Sequence, residues 1–184
     1  MSKLQNWLSS LPHDEIGLQA KFEVSTPDPQ ESYEMRIWID GDACPGVIKE
    51  IVFRAAIRTR IPVTVVANQP MKLPRSELIT LLTVSAGLNV ADQQIVELLT
   101  PGDLVITADI PLAAYVVEKG GTALDPRGQL YTEENIGERL VMRNLLDGLR
   151  GEGVVGGGPA PFSGNDRQAF ANQLDRILAK RRPG

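Results

Sequence analysis

The stretch "IWIDGDACPG" at residues 37–46 ends an apolar run with two aspartates, Asp40 and Asp42, and a proline follows three residues after the second. The pattern predicts that a strand ends and a helix begins where two carboxylates lie one residue apart. Neighbouring carboxylates raise one another's pKa unless a cation is present. The pair therefore predicts a divalent metal site, provided that other carboxylates reach the same place.

Two other aspartates stand at similar positions. Asp92 opens the helical pattern "ADQQIVELLT", and Asp109 ends the strand-like run "LVITADIP". If Pro45 and Pro111 are the first helical residues, neither Asp42 nor Asp109 occupies the capping position of its helix. For Asp92 a helix N-cap is the stronger single explanation, and either Asp40 or Asp109 alone would be an ordinary turn residue.

The available ligands decide which metal such a site would take. The sole histidine, His13, lies far from these segments, and the sole cysteine, Cys44, is interpreted as a small packing residue. Carboxylate oxygens without nitrogen or sulfur favour Mg²⁺ or Mn²⁺ over zinc. An ion held in this way suits phosphodiester hydrolysis, because it activates water and neutralises charge in the transition state.

Polar and basic residues in two loops are candidates for contact with substrate phosphate. The loop "ANQPMKLPR" supplies Asn68, Lys72 and Arg75, and "DPRG" supplies Arg127. The basic residues of the first helix are assigned to a solvated face. Asp103, after Pro-Gly, is interpreted as a turn residue.

Beyond residue 34, strand-like runs alternate with helical patterns. Strands are predicted at 35–39, 62–68, 78–86, 103–108 and 122–125, and helices at 45–60, 91–100, 111–121, 132–150 and 165–181. The alternation predicts an α/β fold of three layers, with a mostly parallel central sheet flanked by helices. In such sheets ligands bind outside the carboxyl ends of the strands, which is where the aspartates fall.

Composition separates the N-terminal segment from the rest. Residues 1–34 contain two basic and six acidic side chains and the linker-like "STPDPQESYE", and residues 35–184 contain 17 of each sign. We expect a flexible appendage over 1–34 and one domain over 35–184, with Met35 as a candidate start of the functional domain. The single cysteine and the lack of a spanning apolar stretch or signal-peptide layout predict a cytoplasmic protein that does not enter membranes.

Six segments resemble the YaiI/YqxD family of uncharacterised bacterial proteins. They are "WIDGDACPGVIKEI", "VVANQ", "GDLVITADIPLA", "ALDPRGQLYTEENI", "LRGEGVVGGGPAPF" and "DRQAF". The resemblance implies a PIN-like fold, related to a nuclease superfamily with acidic, metal-binding residues at one sheet edge. The matching positions are Asp40, Asp42, Asp92 and Asp109. The family usually has an aspartate where this chain has Asn89, which removes a charge near Asp92.

Three functions compete at this level. The first is a nuclease dependent on Mg²⁺ or Mn²⁺ that acts on RNA or single strands, a substrate preference that rests on fold analogy. The second is a non-catalytic RNA-binding or interaction module of the same fold, which Asn89 and the balanced charge favour. The third and weakest is an aspartyl-phosphate phosphatase, because the segment after Asp42 lacks the residue types expected there.

Overall fold

The computed structural model describes residues 35–87, 89–151 and 160–180, so the predicted N-terminal appendage lies outside the described residues. The described strands are β1 Ile37–Asp40, β2 Val63–Ala67, β3 Ile79–Thr83, β4 Leu104–Ile106, β5 Thr122–Leu124 and β6 Leu130–Tyr131. The helices are α1 Gly46–Thr59, α2 Val90–Leu98, α3 Ile110–Glu118, α4 Glu133–Gly151 and α5 Gly164–Lys180. The predicted α/β class is confirmed.

The strands form one sheet in the order β3-β2-β1-β4-β5-β6. All neighbouring pairs are parallel except β5 and β6. The chain winds outward from β1 to β3 and then returns to the other side of β1 as β4. The boundary between β1 and β4 is therefore a topological switch point, the place beyond the carboxyl ends of the strands where ligands bind in sheets of this kind.

Helices cover both faces of the sheet, and strand β1 shows how its residues divide between them. Ile37 and Ile39 are fully buried against α1 and α5, and Trp38 is buried on the opposite face against α2 and α3. Successive residues of a strand point to opposite faces of the sheet. Because β1 has apolar residues on both faces, helices cover it on both faces. The predicted three layers are confirmed.

The run predicted as a strand at 78–86 does form one, β3, although it is shorter than predicted. The sequence prediction missed β6, which has only two residues and pairs antiparallel with β5. The segment predicted as the last strand is therefore not the last. None of the helices in the three described ranges is long and apolar enough to cross a membrane.

Candidate functional site

Asp40 is the last residue of β1, at the switch point of the sheet, and only 8% of it is exposed. Burial raises the pKa of its carboxyl group, and the nearby charges of Asp42 and Asp109 raise it further. Backbone hydrogen bonds from Ala43 and Asp42 act in the opposite direction but do not cancel the shift. Asp40 therefore carries a costly charge at the centre of the site.

Gly41 follows in a turn that leaves no space for a side chain. A Cβ atom on Gly41 would lie 2.6 Å from Cγ1 of Val65 and 3.0 Å from the carbonyl oxygen of Val66. The Gly41 backbone N–H donates to that same Val66 oxygen at 2.8 Å. Lys49 Nζ on α1 donates to the Gly41 carbonyl at 2.8 Å, so the turn between the two aspartates is fixed from both sides.

Asp42 is exposed, and its Oδ2 accepts a hydrogen bond from the backbone N–H of Asn68 at 2.8 Å. The contact joins the residues that follow β1 and β2. The other carboxylate oxygen has no such contact among the described residues. Asp42 therefore ties the loop at the sheet edge together while it contributes charge next to Asp40.

Asp109 corrects a sequence prediction. The structure begins α3 at Ile110, one residue earlier than predicted, so Asp109 is the N-cap, and its Oδ1 accepts from the backbone N–H of Leu112 at 2.8 Å. The backbone N–H of Asp109 donates to the buried Thr107 at 3.0 Å. Capping explains a short polar residue here, but an asparagine, serine or threonine would also satisfy it.

The N-cap interpretation of Asp92 was wrong. Asn89 is the N-cap of α2, with a left-handed backbone at φ 60° and no side-chain hydrogen bond to the helix, and Asp92 lies in the first turn. Burial raises the pKa of Asp92 to about 6, with additional increases from the charges of Asp109 and Asp40. The charges of Asp40 and Asp109 therefore act on the Asp92 carboxyl group.

The structure thus brings together Asp40, Asp92 and Asp109 at the switch point, with Asp42 beside Asp40. None of the four forms an ion pair with a lysine or arginine of the described residues. As the side chains stand in residues 35–87, 89–151 and 160–180, no three histidine, cysteine, aspartate or glutamate residues form a compact metal-ligand group. The cluster therefore gathers carboxyl groups that have no basic ion-pair partner among the described residues, but it is not a closed ligand cage.

Of the predicted phosphate-binding residues, three are exposed and one is bonded within the chain. Asn68, Lys72 and Arg75 are exposed in the connection between β2 and β3. Arg127 is engaged within the chain: its Nη1 donates to Asp166 at 2.8 Å, its Nη2 donates to the Ala160 carbonyl, and its guanidinium lies 5.9 Å from the ring centre of Phe162. These contacts hold the start of α5 against the β5–β6 loop.

Sequence reasoning missed Asp125, which directly follows β5 at the same edge. Burial raises the pKa of Asp125, against the effect of its hydrogen bonds with Tyr131 and with the Arg127 backbone N–H, the latter at 2.6 Å. The pKa of Tyr131 is raised to about 12, first by burial and then by the charge of Asp125. The strand-end rule applied to "TALD" would have found Asp125.

The structure also bears on the interpretations of Asp103 and Cys44. Asp103 accepts from Thr100, as a turn residue does, but it is also 2% exposed and accepts from the Trp38 indole at 2.9 Å. Cys44 is buried in the core, as predicted for a packing residue, and burial raises its pKa to about 12. Its thiol therefore stays protonated at neutral pH.

Comparison with known proteins agrees with this chain's motifs. The family model described as "Uncharacterized BCR, YaiI/YqxD family" matches residues 38–180. The chain belongs to this family. The UPF0178 protein of Thioalkalivibrio sulfidiphilus is 63% identical over 147 residues, which is 80% of this chain and 100% of that protein. A UPF0178 protein of Syntrophotalea carbinolica is 59% identical over 146 residues, 79% of this chain and 99% of that protein. No solved structure matches the chain.

The effect of the Asp92 charge on the stability of the fold can be measured directly. We expect Asp92→Asn to stabilise this YaiI/YqxD-family protein above pH 6. The folded state binds the Asp92 proton more tightly than the unfolded state does, so stability falls as pH rises from about 4 to the raised pKa of about 6. A difference of about two pH units corresponds to about 3 kcal/mol, which partial solvent screening reduces to roughly 1–2 kcal/mol.

Urea denaturation of wild type and Asp92→Asn at pH 4.5 and pH 7.5 would measure this effect. The difference between the two proteins should be largest at pH 7.5 and clearly smaller at pH 4.5, because the Asp92 carboxyl group is then mostly protonated in the folded state. A stability difference that is the same at both pH values would contradict the assignment of a like-charge cluster around Asp92.

Proposed function

We propose that this protein is a metal-dependent nuclease that hydrolyses phosphodiester bonds, with RNA or single strands as the favoured substrate. The observation that carries the proposal is the meeting of Asp40, Asp92 and Asp109 at the switch point without an ion pair among the described residues. A protein gains no stability from like charges held together in this way. A bound cation would reverse the sign of that interaction.

Mg²⁺ or Mn²⁺ fits the chemistry of the donors, all of which are carboxylate oxygens. When bound, such an ion would supply Lewis-acid activation of the phosphate and of water. In this proposal Asp40 and Asp109 hold the ion. Asp42 and Asp92 complete its ligands or orient water.

Asp109 can bind a metal ion while it caps α3. Its Oδ1 accepts from the backbone N–H of Leu112 at the start of α3, which leaves the other carboxylate oxygen for the ion.

The proposal includes a cytoplasmic location, supported by the presence of one cysteine in the chain.

The test uses the N-cap to separate function from structure. We expect Asp109→Asn to lower Mn²⁺-dependent cleavage of a labelled single-stranded RNA at least about 100-fold, the scale of losing several kcal/mol of charge stabilisation by a metal. Asparagine caps a helix as well as aspartate does, so the stability of α3 should hardly change. Full cleavage by the variant, or none by wild type with either metal, would reject the nuclease.

Two observations favour the non-catalytic binding module as a second candidate. Asn89 supplies no charge near Asp92, and no compact group of three ligands exists among the described residues. A binding module would bind RNA as well or better after Asp109→Asn, because the change removes repulsion between the site and the phosphates. Unchanged or stronger RNA binding by the variant, together with no cleavage by wild type in Mg²⁺ or Mn²⁺, would therefore identify the binding module.

A further inference from the structure

Several arginines of the described residues form ion pairs with aspartates of the same chain. Arg127 is paired with Asp166, Arg58 with Asp175, and Arg143 with Asp147. Arg139, on α4, is exposed and forms no ion pair with any described residue. Its partner is neutral: with the Gln129 amide oriented so that its oxygen faces the guanidinium, Gln129 accepts from Arg139 Nε at 3.0 Å and from Nη2.

Contacts within the β5–β6 hairpin place this guanidinium at the carboxyl edge of the sheet. Asp125 follows the last residue of β5, and its backbone N–H donates to the Gln129 carbonyl at 2.8 Å. Gln129 therefore lies level with Asp125, at the edge where the carboxylates meet. Electrostatic coupling agrees, because the Tyr131 hydroxyl senses the charges of Asp125, Arg139 and Asp109.

α4 is long enough to reach beyond the neighbouring helix α3. α4 has 19 residues and none of them is buried, whereas the neighbouring α3 has nine. At 1.5 Å per residue the helices are about 28 Å and about 13 Å long, so α4 continues well past its partner. β6 pairs antiparallel with β5, and α4 begins two residues after β6, with Arg139 in its second turn. The contact with Gln129 is what places Arg139 near the carboxyl edge.

We propose that Arg139 binds a phosphate of the substrate strand, at the end of the site opposite the β2–β3 loop. The inference rests on the proposed phosphodiester substrate and adds the residue that would hold its backbone. A guanidinium presents paired N–H donors that match phosphate oxygens, and a neutral amide partner orients it without neutralising its charge. Arg139 is thus a phosphate-binding residue, and Gln129 is a positioning residue.

The test measures binding without cleavage. Fluorescence anisotropy of a labelled single-stranded RNA 12-mer is recorded with the full chain, first in EDTA and then with millimolar Ca²⁺, which also takes oxygen ligands. We expect Arg139→Gln to weaken binding about tenfold, the scale of one lost hydrogen bond to a charged group. The slope of log affinity against log salt should fall by about one. Arg139→Lys should restore the slope but only part of the affinity.

Arg143→Gln is the matched control, since Arg143 lies one turn later on α4 and already pairs with Asp147 at 3.5 Å. It should change RNA affinity less than twofold, because its side chain is held within the helix at Asp147, which Arg150 also contacts at 3.2 Å. Equal losses in the two variants would mean a general charge effect and would overturn the inference. Unchanged affinity in Arg139→Gln, or no RNA binding by wild type in either buffer, would also overturn it.

Failure of the proposed function gives a different pattern. RNA binding that depends on Arg139, without cleavage in Mg²⁺ or Mn²⁺, would reject the nuclease and retain the phosphate site. Cleavage that depends on Asp109, with KM unchanged in Arg139→Gln, would retain the nuclease and reject the phosphate site.

Discussion

Replacing Asp40 by asparagine is expected to abolish RNA cleavage and at the same time to stabilise the fold. The pKa of Asp40 is raised mainly by burial, so ionisation of this carboxyl group destabilises the folded state as pH rises. Asparagine removes that charge and keeps an oxygen that accepts from the backbone of Ala43. Loss of a proposed metal ligand should lower cleavage at least about 100-fold.

Activity and stability should therefore move in opposite directions, which a merely structural aspartate cannot produce. Urea midpoints at pH 7.5 and initial cleavage rates, measured on the same preparations, provide the comparison. A less stable Asp40→Asn protein with proportionally lower activity would assign Asp40 to the fold and contradict a role in chemistry.

Replacing Asp103 by alanine should destabilise the fold by a large amount, whereas Asp40→Asn should stabilise it. Its carboxylate accepts from the backbone N–H groups of Arg36 at 2.8 Å and Thr100 at 3.0 Å, and from the Trp38 indole at 2.9 Å. Asp103→Ala leaves these donors unsatisfied in a site that is 2% exposed. At about 1–3 kcal/mol for each buried donor left unpaired, we expect a loss of roughly 3–5 kcal/mol.

Asp175→Ala is the control for this experiment, because it also removes a charged contact, the ion pair with Arg58 at 2.6 Å. The two side chains are 59% and 63% exposed, so the change should cost no more than about 1 kcal/mol. Urea denaturation followed by circular dichroism measures both variants. Similar midpoints for Asp103→Ala and Asp175→Ala would contradict the anchoring role of Asp103.

Asp40 and Asp103 show which parts of the structure could be predicted from the sequence and which could not. Apolar strands followed by proline-started helices fix the α/β alternation, and the alternation brings strand ends to one edge. Asp40 and Asp109 could be placed together on that rule alone. The role of Asp103 could not be predicted, because its partner Trp38 is 65 residues away and meets it only when β1 pairs with β4.

Caps and short strands were the other limit. Placing Asp109 outside the cap depended on a helix start that is one residue off, which is within the usual uncertainty of helix ends. The position of Arg139 depends on β6, whose two residues carry no detectable alternation. The place of Arg139 beside Gln129 thus became visible only from the folded chain.

Calorimetric titration with Mn²⁺ at pH 7.5 would show whether Asp40 and Asp109 share a divalent cation, as proposed. Wild type, Asp40→Asn, Asp109→Asn and the surface control Asp175→Asn would be compared as full chains. We expect saturable binding by wild type and the control, and loss of that binding in both site variants. No binding by wild type at millimolar Mn²⁺, or equal binding by all four proteins, would contradict it.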